Sequence, residues 1–173
     1  VDGRATNRDV LDLMDSPAFR MKFDLEEGDL EVFRQWIRDC NVYWGFDGGH
    51  RVQLQSAPIE EHTWRRALDR MSLGFCMRGE GGRIWGGILP YDEIEGGNAI
   101  RFAKFARILR LLEKLEENSR EEKTPGAWVN DLRSIINDFL PRRNETLLEM
   151  DRISKAVDGL GDESGAFVTE KAP

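Results

Sequence analysis

The sequence predicts an all-α domain, an irregular bundle of roughly six or seven helices joined by short turns. Apolar residues recur at three- and four-residue spacing in successive segments, which is the period of a core-facing helix. Threonine, asparagine or proline stands where several of these segments begin, as is typical of helix N-termini. No segment alternates apolar and polar residues for long enough to set up a sheet, and no repeat of fixed period indicates a solenoid.

The first part of the chain predicts three helices. Thr6 and Asp9 have the spacing of a capping box, with Asp in place of Glu or Gln, so one helix begins after Thr6. Pro17 suits the first position of a second helix. The third helix has its apolar residues at Leu30, Phe33, Ile37 and Cys40. A turn over residues 44–49 ends it, and residues 50–60 are expected to form a loop.

A strongly amphipathic helix is predicted after Thr63, which suits the N-cap position. Its expected core-facing stripe has spacings of 4, 3 and 4 residues and consists of Trp64, Leu68, Met71 and Phe75. Two Gly-Gly pairs within residues 79–87 then indicate a flexible loop or a loose hairpin.

Three further helices are predicted in the last part of the chain. The first begins at Asn98 and is apolar around much of its circumference, so it is expected to lie centrally between other helices. Thr124 and Pro125 open the second, and Asn144 caps the third, which Gly159 ends. The expected core stripes are Trp128, Leu132, Ile135 or Ile136, and Phe139 in the second, and Leu147, Met150, Ile153 and Val157 in the third.

One helical domain over residues 1–158, followed by a Gly-rich flexible tail or linker over residues 159–173, is the expected organisation. The chain does not begin with Met, and we interpret it as an internal piece of a longer subunit. The sequence has no run of about 18 to 20 apolar residues that would span a membrane, and no signal-peptide core. Cys40 and Cys76 form no CxxC pair, which is typical of reduced thiols, so the expected setting is cytoplasmic.

The composition is that of a folded and highly charged domain, with 40% apolar and 33% charged residues and a mean hydropathy of −0.53, which excludes wholesale disorder. The 25 Lys and Arg against 32 Asp and Glu give a net charge of −7, which argues against a dedicated nucleic-acid module. Residues 61–110, however, carry 9 basic and 6 acidic side chains, so that their net charge is 9 − 6 = +3. The middle of the chain is therefore locally basic.

No catalytic or metal-binding residue is predicted. The Gly-rich residues 79–87 lack the Gly-Lys-Ser or Gly-Lys-Thr ending of a P-loop. Asp92 with residues 121–123 has the residue types of a metal-dependent nuclease, but these residues fall in a loop and at a helix end rather than at a sheet edge. Four possible zinc ligands are spaced too widely for a structural site, and we expect core thiols and surface imidazoles instead at Cys40, His50, His62 and Cys76.

The densest signal is the run from His62 to Met77. Arg65, Arg66 and Arg70 lie on its polar side, where they would either contact phosphate or pair with acidic helices. Physical arguments alone favour core packing with ion pairs, because charged positions on helices most often form a solvated face. These three arginines are nevertheless the best DNA-contact candidates in the chain.

This run resembles the signature of the gamma-subunit family of exodeoxyribonuclease V (RecC). The matching residues are Thr63, Trp64, Arg65, Leu68, Arg70, Leu73, Gly74 and Met77. Further family elements resemble Arg34–Ile37, Tyr43–Asp47, Leu89–Gly96, Trp128 and Asn137–Phe139, so the resemblance covers residues 8–158. Departures from the family pattern are Ala67 for glycine, Ser72 for leucine and Phe75 for tyrosine, and they concern local helix packing.

The resemblance implies a helical accessory domain inserted in the second motor-like domain of a subunit similar to superfamily 1 helicases. It implies a non-catalytic scaffolding role in the RecBCD helicase-nuclease, with beta and alpha subunits as partners. Arg65, Arg66 and Arg70 stay the candidates for contact with the DNA backbone because of their place on the polar side of the helix in the basic part of the chain. ATP, magnesium and cleavage would belong to the partner subunits, and this segment would hold no cofactor. A pure protein-interaction domain without DNA contact is the alternative. The signature positions expected to be structural are Trp36, Trp44, Gly45, Thr63, Trp64, Leu68, Gly74, Tyr91 and Asp92.

Overall fold

A computed structural model describes residues 3–77, 84–94, 96–143 and 146–169, with side chains up to residue 160. In these ranges the chain is helical, which confirms the predicted all-α class, and it has eight helices rather than six or seven. No strand is present there, and the only β pairing is an isolated bridge between Trp85 and Ile88. The helices are α1 Asn7–Asp15, α2 Pro17–Phe23, α3 Glu27–Asp39, α4 Gly48–Gln53, α5 Trp64–Cys76, α6 Asn98–Ser119, α7 Pro125–Phe139 and α8 Leu147–Thr169.

The predicted helix starts are confirmed by their hydrogen bonds. Thr6 and Asp9 form a reciprocal capping box, in which the Asp9 N–H donates to the Thr6 hydroxyl at 3.1 Å. The hydroxyls of Thr63 and Thr124 likewise accept an N–H from the first turns of α5 and α7. Pro17 occupies a first helical position in α2. The predicted cap of the last helix, Asn144, lies outside the described residues.

The expected turn over residues 44–49 and the expected loop over residues 50–60 are both wrong where they meet, because α4 occupies residues 48–53. Asp47 caps this helix by accepting the His50 N–H at 2.7 Å. Glu60 accepts the Gly48 N–H at 3.1 Å from the other side of the turn. The sequence analysis missed α4 because glycine disfavours helix interiors and α4 begins with Gly48 and Gly49. The stabilising contact from Glu60 is not local and gives no signal in the sequence around α4.

The stripe predicted for α5 is correct at Trp64 and Met71 but wrong at Phe75, which is 57% exposed. Ala67 takes part in the buried face with Trp64 and Met71. At the C-terminal end of α5, Gly74 faces inward and lies against the backbone of Tyr91. Phe75 follows Gly74 by about 100° around the helix and therefore points away from that contact.

Three other expectations for the later helices change in detail. Trp128 lies at the edge of the α7 stripe, 36% exposed, with the Lys123 ammonium 5.5 Å from its ring, and Val129 is buried in its place. In α8, Leu147 and Ile153 are exposed. The last helix does not end at Gly159 but continues to Thr169. The division of the chain into residues 1–158 and a tail stays a prediction.

The main core joins α1, α2, α3 and α5 to one face of α6. The predicted central place of α6 is therefore confirmed for that face only, because its opposite face is exposed. Phe105, Ile108 and Leu109 of α6 are at most 1% exposed. The ring of Phe105 lies 4.9 Å from that of Phe33 and 5.8 Å from that of Trp36, between centroids. A second, smaller cluster joins α7 to α8 through Val129, Ile136, Met150 and Val157.

A buried carboxylate ties α3 to α6. Asp29 is 5% exposed, and its oxygens accept hydrogen bonds from Arg101 Nε at 2.8 Å, Lys104 Nζ at 3.3 Å and the Glu26 N–H at 3.2 Å. Burial alone would raise the pKa of Asp29, but the Glu26 N–H and the two cations outweigh it and hold that pKa below its usual value. The ionised carboxylate is therefore part of the folded state.

Replacing this carboxylate by an amide is expected to destabilise the fold at neutral pH. Asp29→Asn should lower the free energy of unfolding by about 2 kcal/mol, since two cations lose their partner. The folded-state pKa is lowered, so the stabilisation is present above the ordinary pKa of about 3.9 and is lost as the pH falls through the folded pKa below it.

Denaturant unfolding of both proteins at pH 7 and near pH 3 measures this difference. Asp24→Asn is the matched control, because the Asp24 carboxylate is 89% exposed and 3.9 Å from the same Lys104. A deficit of equal size for both substitutions at pH 7, or a deficit for Asp29→Asn that does not shrink in acid, would contradict the assignment.

Candidate functional site

The N-terminus of α5 is joined to two other segments, and we call this contact region the Trp64 junction. The Trp64 side chain is 1% exposed, and its Nε1 donates to the Ala5 carbonyl at 2.7 Å. Its backbone N–H donates to the Gly45 carbonyl at 3.0 Å, and the Gly45 N–H donates to the Arg4 carbonyl at 2.9 Å. The Trp64 junction therefore holds residues 4–5, residues 43–46 and the start of α5 together.

A buried guanidinium supports the Trp64 junction from the side of α4. Arg51 is 5% exposed and donates to the carbonyls of Trp44, Ile59 and Glu61 at 2.8–3.0 Å. Its Cζ also lies 4.7 Å from the centroid of the Trp44 ring. Burial lowers the pKa of Arg51, and Glu60 and Glu61 oppose that shift.

Gly45 fits this arrangement because of its backbone conformation. Its φ is +85°, and a Cβ there would lie 3.1 Å from the Arg51 side chain. The sequence analysis missed Arg51, because its three carbonyl partners come from two segments without any periodic signal, one before and one after α4.

Gly74 and Tyr91 make a second close approach of the backbone. A Cβ on Gly74 would lie 1.7 Å from the Tyr91 carbonyl oxygen, so only glycine fits. The Tyr91 N–H donates to the Arg70 carbonyl at 2.9 Å, and its hydroxyl donates to Asp39 Oδ2 at 2.8 Å. Burial, together with that hydrogen bond to Asp39, raises the pKa of Tyr91.

The remaining signature positions differ in their surroundings. Trp36 is 2% exposed within the aromatic core, and Leu68 is half-buried against that core. Thr63 is fully buried, and its hydroxyl donates to the Glu60 carbonyl at 2.6 Å while accepting the Arg66 N–H at 3.2 Å. Asp92 is exposed and makes at least one polar or electrostatic contact.

The three candidate DNA-contact arginines are engaged within the chain. Arg66 donates to the Gly87 carbonyl at 2.7 Å, and Arg70 Nε donates to the Leu89 carbonyl at 3.0 Å, so both hold residues 84–91 against α5. The Arg65 guanidinium pairs with Glu113 of α6, yet its side chain is 50% exposed. Burial lowers the pKa of Arg65, but Glu113 outweighs it, and the net shift is upward.

A set of cations that the sequence analysis missed lies on α6, and we call Arg107, Arg110 and Lys114 the α6 basic stripe. The three side chains are exposed, and their i, i+3, i+7 spacing places them on one face, opposite the core. Within the described part of the chain none of them makes an ion pair, although Arg107 lies over the Phe23 ring at 5.8 Å. Arg110 and Arg65 line the same small cleft between α5 and α6.

An open hollow between α1 and α6, the α1–α6 groove, is the other surface feature. It has a volume of about 540 Å³ and runs from Ala5 and Phe46 to Leu112 and Leu115, with Leu13, 40% exposed, along its α1 side. Leu13, Leu112 and Leu115 also line a second hollow of about 230 Å³. The second hollow is bordered further by Ser16, Ala18, Phe19, Ile135, Phe139 and Leu140. The two hollows form one apolar floor.

The thiols and imidazoles are placed differently from the expectation. Cys40 is buried as expected, and desolvation raises the pKa of its thiol to about 11, but Cys76 is exposed. His50 is buried rather than on the surface, where its Nδ1 accepts the Phe46 N–H at 3.2 Å. That bond leaves the proton on Nε2, which faces Glu116 Oε1 at 3.3 Å. His62 is exposed.

The described residues contain no group of three or more His, Cys, Asp or Glu side chains that could hold a metal ion. Lys123, from the alternative nuclease set, pairs with Asp131 at 2.6 Å and with Glu121 at 3.4 Å. None of the helices in the described part combines the length and apolar character needed to cross a membrane. Fold and site together define an all-helical domain. Its described residues include an exposed basic stripe on α6 and an open apolar groove between α1 and α6.

Comparison with known proteins assigns the chain to a family. The family model described as "RecBCD enzyme subunit RecC fourth domain" matches residues 1–172. The RecBCD enzyme subunit RecC of Escherichia coli (strain K12) is 32% identical over 172 residues, which are 96% of this chain and 15% of that protein. The RecC subunit of Mycolicibacterium smegmatis is 35% identical over 135 residues, 78% of this chain and 12% of that protein. The chain therefore belongs to the RecC fourth-domain family.

The chain spans only a small part of the relatives that it matches. The RecC subunit of Mycobacterium tuberculosis (strain H37Rv), for example, is 34% identical over 144 residues, which are 82% of this chain and 13% of that protein. The family membership confirms the resemblance found in the sequence.

Proposed function

We propose that this chain is a non-catalytic scaffold domain of a RecC subunit, and that it supports assembly with the beta and alpha subunits of the complex. It would correspond to the helical accessory domain of a subunit similar to superfamily 1 helicases. ATP hydrolysis and magnesium-dependent cleavage would belong to the partner subunits. The setting would be cytoplasmic.

The observation that carries this proposal is the use of the signature residues in internal contacts. Trp64 and Gly45 bond to each other and to residues 4–5, and Gly74 admits the Tyr91 backbone. Arg66 and Arg70 bond to carbonyls of the segment that Tyr91 ends. Residues used in this way fix the shape of the domain, and shape is what a scaffold supplies to its neighbours.

A substitution that disturbs this shape should prevent assembly. Gly74→Ala in the full-length subunit, co-expressed with its partner subunits, is expected to lower the domain's stability by about 3 kcal/mol, because its Cβ overlaps the Tyr91 carbonyl. Co-purification with the partners should fall with it. Gly126→Ala is the matched control, since a Cβ there meets no atom within 4 Å. Normal assembly of the Gly74→Ala subunit would contradict the scaffold proposal.

Contact with the DNA backbone is a second candidate function, favoured by the α6 basic stripe. Phosphate contact needs cations that are exposed and unpaired, and Arg107, Arg110 and Lys114 meet both conditions in the described part of the chain. Of the predicted arginines, Arg65 is half-exposed and shares a cleft with Arg110. Arg66 and Arg70 would first have to leave their carbonyl partners. We therefore propose a contact surface formed by the three cations of the α6 basic stripe, beside Arg65, whose guanidinium would first have to leave Glu113.

Salt-dependent binding to labelled single-stranded DNA tests this surface. Three phosphate contacts predict a slope of log affinity against log salt of about −2. Replacing Arg107, Arg110 and Lys114 together by Gln should weaken binding about tenfold or more and flatten that slope. The charge-matched control replaces three cations elsewhere by Gln: Arg8, Arg133 and Lys155.

Equal losses of DNA affinity for both triple Gln variants would contradict the assignment of the DNA contact to α6. If only the triple replacement of Arg65, Arg66 and Arg70 by Ala weakens binding, while its melting curve is unchanged, the contact lies on α5. If the assembled complex does not bind DNA through this surface, and Gly74→Ala prevents assembly, a pure protein-interaction domain is favoured. Metal-dependent DNA cleavage by the chain alone would overturn the non-catalytic proposal.

A further inference from the structure

We propose that the α1–α6 groove receives an amphipathic helix whose apolar stripe is flanked, on the α1 side, by lysine or arginine. The inference rests on the proposed scaffold function and names the chemistry of a segment that the scaffold would hold. It concerns a surface separate from the α6 basic stripe.

The floor of the α1–α6 groove is apolar over its whole length. Leu13, Leu112 and Leu115 line both hollows, so there is no polar barrier between them. Phe46 borders the α1–α6 groove, and Phe139 borders the second hollow. Leu13 is 40% exposed although it lies next to the buried face of α1, which leaves apolar surface to be covered.

The walls of the α1–α6 groove determine the conformation of its occupant. The walls formed by α1 and α6 are helices, whose interior N–H and C=O groups are already hydrogen-bonded to each other. Of the non-helical lining residues, the Ala5 carbonyl and the Phe46 N–H and carbonyl are also bonded, to Trp64, His50 and Arg65. An extended segment would find no backbone partner there, whereas a helix satisfies its own backbone and presents a stripe of side chains. Helix-in-groove docking with anchors at i, i+3, i+4 and i+7 fits these walls.

The charges around the α1–α6 groove determine the flank of the occupant. Asp9 and Asp12 border it on the α1 side and are exposed. The Asp12 carboxylate lies 3.8 Å from Nε of Arg8, but both side chains are about three-quarters exposed or more. This exposed ion pair therefore offsets the charge of Asp12 only weakly. On the α6 side, Glu116 is already paired with Arg120. Asp9 accepts hydrogen bonds from Thr6 in the α1 capping box rather than from a cation, so its charge and that of Asp12 leave the α1 side of the rim negative. A cationic flank would be complementary to that side.

A second copy of the chain fits this surface less well than a basic helix. The chain carries a net charge of −7, and its copies would bring like charge to an acidic rim. Self-association remains a defined outcome of the experiment.

The probe is a labelled synthetic helix of leucine and lysine, with leucines at i, i+3, i+4 and i+7, titrated with the full 173-residue chain by fluorescence anisotropy. A peptide with glutamate in place of each lysine tests the charge requirement. We expect one lysine peptide to bind per chain, and the glutamate peptide to bind at least about tenfold more weakly.

Two matched substitutions locate the binding. Leu13→Gln should weaken binding of the lysine peptide about fivefold or more, because the substitution removes apolar surface that both hollows share. Leu148→Gln is the control, since Leu148 is 77% exposed on α8 and away from the groove. Asp12→Asn should weaken binding by a smaller factor and flatten its dependence on salt.

Three results would overturn the proposal: equal losses for Leu13→Gln and Leu148→Gln, equal binding of both peptides, or dimerisation of the chain in sedimentation that Leu13→Gln abolishes. The assay contains no partner subunit. A failure here thus leaves the assembly result for Gly74→Ala standing, and a failed assembly test leaves the peptide result standing.

Discussion

The hydrogen bond from the Trp64 indole to the Ala5 carbonyl is the interaction on which the rest of the structure depends. It is 2.7 Å long, and it connects residues that are 59 positions apart in the sequence. Because the indole is also packed into the aromatic core, the same side chain fixes the start of α5 and the path of the chain before α1. The Gly45 loop is held between these two segments, so three parts of the chain take their relative positions from one residue.

The domain divides its charged residues between internal contacts and the surface. Arg51, Arg66 and Arg70 use their guanidinium groups on backbone carbonyls, which loops and turns would otherwise leave exposed to water. Asp29 is likewise committed to the α3–α6 contact. Arg107, Arg110 and Lys114 remain exposed on the outer face of α6, and Asp9 and Asp12 remain exposed along α1. A domain of net charge −7 therefore still offers one basic surface and one acidic, apolar groove.

Local signals in the sequence predicted much of the fold. The caps at Thr6, Thr63 and Thr124 and the apolar period of α6 act within a few residues, and all of them are found in the structure. The errors arise where distant contacts decide. Glu60 stabilises α4 despite its glycines, and Tyr91 turns the end of α5 so that Phe75 faces outward. The site was less predictable than the fold, because the carbonyl partners of the arginines and both open surfaces depend on how helices pack.

Trp64→Phe tests the central claim most directly, since Phe keeps an aromatic ring in the core but cannot donate to the Ala5 carbonyl. The account predicts a loss of about 2 kcal/mol in unfolding free energy. It also predicts faster hydrogen exchange at the Asn7 and Gly45 amides, which bond to Tyr43 and Arg4 across the Trp64 junction, with no change at Ile136 in α7. Unchanged stability, or exchange that rises equally throughout the chain, would contradict it.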